Sequence, residues 1–231
     1  MMSTLEEAKK VAQVRSSVYS LLSQCFFQPS EELLASIIQG DFGEFLENTV
    51  GILDGEKVGR EIVRLKDFSA QAKEKSAEKT LQDMKVEYNR LFVGPGHLLA
   101  PPYESVYKTR NDDNKKGVVM GDDTIAAKKF YLQAGLEIDD NFKDLPDHIA
   151  VELYFMSYLC NLEFLSADEG EDGIAQTSNI KELQNEFLKS HLGTWITEFS
   201  QAVATQTNSE FYRGMVKITE EWVMSEIKEL D

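Results

Sequence analysis

Asp147, His148 and Glu152 are the residues whose types and spacing come nearest to chemistry. A histidine and a glutamate at i, i+4 share one helical face, where they can hold a metal ion or work as an acid–base pair with a neighbouring aspartate. That is the equipment of a metal- or nucleotide-dependent hydrolase. Two ligands without a third are an incomplete set, and the chain has only three histidines, no HExxH and no Cys/His cluster. Ser105 has Glu104 beside it but no GxSxG around it, so a nucleophilic serine has no motif support. The GPGH run lacks the lysine of a P-loop, and no GxGxxG follows a strand. The residues therefore point away from catalysis, and the hydrolase using Asp147, His148 and Glu152 stands as the alternative.

A chain of 231 residues, 42% of them hydrophobic, can bury a sizeable core. Its 40 acidic and 24 basic residues leave a net charge of −16, which repels nucleic acid and anionic membranes and attracts a cationic partner. Cys25 and Cys160 stand far apart in apolar settings, QCFF and YLCNL, and read as small core residues rather than a disulfide or CxxC site. The N-terminus has no apolar secretory segment, and the most apolar run, LYFMSYLCNL, spans ten residues. The expected location is the cytoplasm, without stable membrane insertion.

The elements that must position these residues are helices. Val11, Val14, Val18, Leu21, Leu22 and Cys25 recur at helical spacing before a stop at Pro29; Ser30 can cap a second helix, and Asp41 with Glu44 a third. Residues 56–74 and 77–92 each carry one apolar stripe (Val58, Ile62, Leu65; Leu81, Met84, Tyr88, Leu91). Asp122 or Asp123 can cap a helix to Gly135. The segment 145–166 is apolar nearly all round, the mark of a central helix, with Pro146 in its first turn and Asp144 or Asp147 complementing its positive end. After an acidic linker, SADEGEDG, helices at 179–205 and 209–230 complete the chain. No strand alternation is found, so the expected fold is all-α, one helical domain over 1–231 with roughly eight to eleven helices.

One stretch interrupts this pattern. LFVGPGHLLAPPYESVY, residues 91–107, holds three of the five prolines and opens a connection too long to be idle inside a compact domain. Prolines lower the entropy lost when a loop is fixed on a ligand, while Tyr103 and Tyr107 offer rigid contact area and Glu104 a charge.

Three segments together, EYNRLFVGPGHLLAPPYESVY (87–107), LPDHIAVELYFMSYL (145–159) and FLKSHLGTWITEF (187–199), resemble in order and spacing the signature segments of the TorD-like family of molybdoenzyme maturation chaperones, with its DmsD and NarJ branches. The tyrosine at 103 is often tryptophan in that family. The resemblance implies an all-helical, cofactor-free, non-enzymatic chaperone. Its partner would be the apo catalytic subunit of a molybdopterin-dependent reductase, bound often through a twin-arginine signal peptide and held until cofactor insertion and export. The family's Pro-Asp-His segment falls on Pro146, Asp147 and His148, with Glu152 one turn on. Its loop falls on Gly94, Pro95, Pro101, Pro102, Tyr103, Glu104 and Ser105, with Tyr107 two residues on as a further candidate contact. Some relatives bind guanine nucleotides, for which this sequence has no motif. The expected state is a monomer, with a domain-swapped dimer as the alternative. A twin-arginine peptide presents two guanidinium groups ahead of an apolar run, so its receptor needs carboxylates beside an apolar surface.

Overall fold

The computed structural model describes residues 4–50, 55–94, 98–110, 117, 119–137, 144–167 and 170–230. Among them are eleven α-helices, a π turn and no strand, only an isolated bridge, which bears out the all-α expectation. The chain divides into two compact units, one of residues 1–23, 103–195 and 230, the other of 24–102, 196–229 and 231. Among the described residues no helix is long and apolar enough to cross a membrane.

The first unit contains α1 (Thr4–Cys25) up to Ser23, α6 (Glu104–Lys108), α7 (Asp122–Gln133), α8 (Ile149–Ser166), α9 (Gly170–Ser190) and the start of α10 (Leu192–Gln206). Its centre is α8, which buries Ile149, Ala150, Leu153, Phe155, Met156 and Leu159, but its apolar pattern does not bury it all round: Tyr154, Asn161 and Leu165, on one face, are exposed. Helix α1 is tied to α8 by hydroxyls: Ser16 donates to the Ser157 carbonyl at 2.9 Å and Ser23 to that of Ala150 at 2.7 Å. Val18 and Leu22 face the core as expected, but Val11 is exposed.

The second unit contains α2 (Glu31–Gln39), α3 (Asp41–Thr49), α4 (Gly55–Glu74), α5 (Ala77–Tyr88), the π turn Asn89–Val93, the rest of α10, and α11 (Glu210–Lys228). Phe92, in the π turn, stacks edge-on against Tyr88 and Tyr212 at 5.2 and 5.7 Å. Helices α4 and α11 meet at Gly214, where an added Cβ would stand 3.1 Å from two Leu65 carbons. Gly214→Ala therefore overpacks this crossing, and its cost of about 1–3 kcal/mol outweighs the gain of up to about 1 kcal/mol in helix propensity. Denaturant midpoints of the two proteins check this; an equal or higher midpoint for the variant would show that Leu65 yields freely.

Several boundaries depart from the sequence expectation. The helix expected over 77–92 closes as α5 at Tyr88 and widens into the π turn, whose Gly94 N–H reaches the Asn89 carbonyl at 2.7 Å. Ser30 caps α2, accepting from the Leu33 N–H, but α3 is capped by Gly40 at φ +101°, a left-handed residue that ends α2 and starts α3 at once; Asp41 is already helical. Asp122 likewise lies inside α7, behind Gly121. The segment read as an acidic linker contributes the first turn of α9, and the helix expected over 179–205 is broken at His191.

Candidate functional site

The two segments singled out by the sequence meet within the first unit. Tyr103 and His148 form an antiparallel bridge, and the Glu104 N–H donates to the Asp147 carbonyl at 3.0 Å. The Asp147 carboxylate takes the Ser105 N–H on one oxygen at 3.1 Å and the Thr124 hydroxyl on the other at 2.9 Å. Tyr103 precedes α6 without offering a side-chain cap, so Asp147 supplies one from outside, its negative charge at the positive end of this five-residue helix. Helix α6 lies inside the stretch read as loop, and it exists because a residue 42 positions away satisfies its first amides.

Asp147 thus caps α6 and not α8, and Pro146 lies ahead of α8 instead of in its first turn. Helix α8 begins at Ile149 with His148 as its cap, ring Nδ1 accepting the Ala150 N–H at 3.1 Å. Burial pushes the His148 imidazole down to about 3, so the ring is neutral over the physiological range. The Tyr103 ring packs against it in a T-shaped contact, with ring centroids 5.4 Å apart. The Tyr131 hydroxyl of α7 holds the Pro146 carbonyl at 2.7 Å.

Beneath this bridge lies a second polar layer. Glu104, fully buried, accepts from Lys108 at 3.0 Å through one oxygen and pairs with His191 Nδ1 at 2.6 Å through the other. Lys108 also pairs with Asp123 at 2.9 Å. Glu152, fully buried, accepts the Trp195 indole N–H at 3.1 Å, and Tyr107 stacks on Trp195 at 5.5 Å. The His191 ring lies flat on Phe187 at 4.8 Å, which explains the break between α9 and α10: the joint places an imidazole between an aromatic face and a buried carboxylate. Lys108, Thr124, Tyr131, His191 and Trp195 were not singled out from the sequence. His191 and Trp195 do sit in the third signature segment, which was the available signal.

The expected site residues separate by accessibility. Glu104, Ser105, Tyr107, Asp147, His148 and Glu152 are buried, whereas Tyr103 and Pro146 are partly exposed, together with Asp144 and Leu145. Burial raises the Asp144 carboxyl above its ordinary value; burial, then Asp144 and Asp147, raises the Tyr103 phenol. Gly94, Pro101 and Pro102 belong to the second unit, where Gly94 takes φ +32° after the π turn and Pro102 is buried. Pro95 lies outside the described residues. The three hydrolase candidates do not converge: Asp147 is engaged by Ser105 and Thr124, His148 caps its own helix, and Glu152 faces Glu104, Trp195 and His191. The Ser105 hydroxyl has no hydrogen-bond partner among the described residues, so no base is placed to activate it.

Comparison with known proteins finds relatives along nearly the whole chain. Relatives include the chaperone protein TorD of Shewanella pealeana, 27% identical over 230 residues and covering 97% of this chain and 93% of the relative. The chaperone protein TorD of Vibrio cholerae is 26% identical over 198 residues, with 85% and 83% covered. The probable Tat proofreading chaperone DmsD of Haemophilus influenzae is 27% identical over 138 residues, with 60% and 57% covered. The family model described as nitrate reductase delta subunit matches residues 54–201, more than half of the chain. The chain therefore belongs to the TorD-like family that this nitrate reductase delta subunit model describes.

Proposed function

We propose that this protein is a maturation chaperone, not a catalyst, which binds the apo catalytic subunit of a molybdopterin-dependent oxidoreductase and its twin-arginine signal peptide in the cytoplasm until cofactor insertion and export. The observation that carries the reading is family membership joined to near full-length similarity to TorD chaperones. The chemistry of the first unit is compatible with it. Where the two segments meet, Tyr103, Asp144, Leu145 and Pro146 are partly exposed: a phenol, a carboxylate and two apolar side chains. A guanidinium can pair with Asp144 while the following apolar residues lie on Tyr103 and Leu145, and the net charge of −16 steers a cationic peptide inward. Asp147, His148 and Glu104 then act on recognition indirectly, by holding Tyr103 and Asp144 in place. The protein is proposed to work as a monomer.

The test is co-purification of the tagged protein from its native host with the partner identified by mass; a molybdopterin reductase subunit is expected, and its absence together with stoichiometric nucleotide would overturn the reading. At the level of residues, Tyr103→Ala and Asp144→Asn are each expected to weaken a synthetic twin-arginine peptide by about 1–2 kcal/mol, with thermal midpoints little changed because both groups are partly exposed. Asp144→Asn should also flatten the rise in affinity with pH, since only the ionised Asp144 pairs with arginine and its carboxyl titrates above the ordinary range. Calorimetric titration at two pH values decides; unchanged affinity in both variants would place recognition elsewhere.

A further inference from the structure

Glu152 is the unusual member of the buried layer. One of its oxygens accepts the Trp195 indole N–H; the other, Oε1, is buried without a hydrogen-bond partner among the described residues. The Glu152 carboxyl stands beside a second carboxylate: one oxygen each of Glu152 and Glu104 and a ring nitrogen of His191 all lie within 4.8 Å of one another. The charged and titratable groups around them are Glu104 and Lys108 on α6, Asp123 and Tyr131 on α7, Asp147 ahead of α8, and His191 between α9 and α10. Acids outnumber the single lysine, and two buried carboxylates side by side are a costly arrangement at low dielectric.

A cation or a hydrogen could resolve it. Three of the four carboxylate oxygens already have partners, Lys108 and His191 on Glu104 and Trp195 on Glu152, so a metal ion would have to displace them to gather ligands. A hydrogen on Glu152 Oε1 displaces nothing. We propose that Glu152 is held as a neutral carboxylic acid whose O–H donates to Glu104, and that this hydrogen is a pH-sensitive latch fastening the 103–108 segment to α8. When the latch opens, Oε1–H gives its proton to hydroxide, forming water, and two carboxylates are left sharing one buried site. The segment carrying Tyr103 then loosens. A surface cleft of about 680 Å³, lined by Lys108, Asp123, Phe130 and His191 among others, brings solvent to one side of the layer.

Burial, then the charges of Glu104 and Asp147, raise the Glu152 carboxyl well above its ordinary value, against the weaker pull of the Trp195 N–H. The folded protein therefore holds this proton more tightly than the unfolded chain. Glu152 makes the fold less stable as pH rises from the ordinary carboxylate range to its folded value. None of this depends on what the protein binds.

The experiment compares the full-length protein with Glu152→Gln, whose amide keeps a hydrogen toward Glu104 at every pH while its oxygen still accepts from Trp195. Infrared spectra at neutral pH are expected to show a protonated-carboxyl stretch that shifts in D2O and is missing from the variant. Amide exchange over residues 104–108, relative to the variant, should accelerate by up to about tenfold per pH unit within the titration window. Absence of the carboxyl band from the wild-type protein, or equal exchange in both proteins, overturns the latch. So does stoichiometric zinc or manganese in the purified protein that Glu152→Gln fails to retain. The wild-type band is read without the variant, so a variant that fails to fold still leaves the proposal open to refutation.

Discussion

Asp147→Ala is expected to destabilise the protein by about 3–5 kcal/mol. The wild-type carboxylate receives two hydrogen bonds in a fully buried position, from the Ser105 N–H and the Thr124 hydroxyl. Hydrogen bonds to a charged group are worth about 1.5–3 kcal/mol each, and removing the acceptor leaves a buried amide and hydroxyl unsatisfied. The loss falls on α6, which is too short to stand without its outside cap. Asp147→Asn should cost only about 1 kcal/mol. Its amide oxygen can keep the Ser105 N–H while its NH2 donates to a rotated Thr124 hydroxyl, though the charge at the helix end is gone. Denaturant titrations at constant slope measure both, and faster amide exchange at Ser105 in the alanine variant would locate the damage. An alanine variant within about 1 kcal/mol of wild type would mean that α6 does not depend on this cap.

His148→Gln is expected to remove most of the protein's mildly acidic instability. The imidazole has an ordinary value of 6.5 and is pushed by burial to about 3 in the fold. As pH falls below about 6.5 the unfolded chain takes up a proton that the folded one refuses. Stability is lost at up to about 1.4 kcal/mol per pH unit until pH approaches the folded value, and only above about 6.5 is the contribution fully present. Glutamine can offer its amide oxygen to the Ala150 N–H in place of Nδ1 and does not titrate. The variant should match wild type at neutral pH to within about 1 kcal/mol and diverge from it steadily between pH about 6 and 4.5. Below that range carboxylates take over in both proteins. Glu87 is one: burial works against its charge, but Arg90, Thr207 and the Asn208 N–H outweigh it and hold the carboxyl down to about 2, so its stabilisation is lost as pH falls from the ordinary value of 4.5 toward 2. Guanidinium unfolding at a series of pH values is the measurement; parallel curves would show that His148 takes up its proton at the ordinary value in the fold.

Both results turn on a difference between what is local and what is distant. Periodicity is local, so the sequence alone determined the helical class, the apolar faces of α4 and α5, the Ser30 cap, and the core placement of Cys25 and Cys160, whereas α8, apolar nearly all round, still exposes Tyr154 and Leu165. It also marked the 91–107 interruption and the Pro146–Asp147–His148 turn, and the order of three segments sufficed for the family. Tertiary structure alone decided that α6 exists, that Asp147 caps α6 while His148 caps α8, and that the long C-terminal helix breaks at His191. Only tertiary structure, too, put the carboxylates of Glu104, Asp147 and Glu152 inside, where sequence pattern reads acids as surface. The physical reason is that burying a carboxylate is unfavourable until its partners arrive, and those partners, Thr124 for Asp147, His191 for Glu104 and Trp195 for Glu152, stand 23, 87 and 43 residues away along the chain.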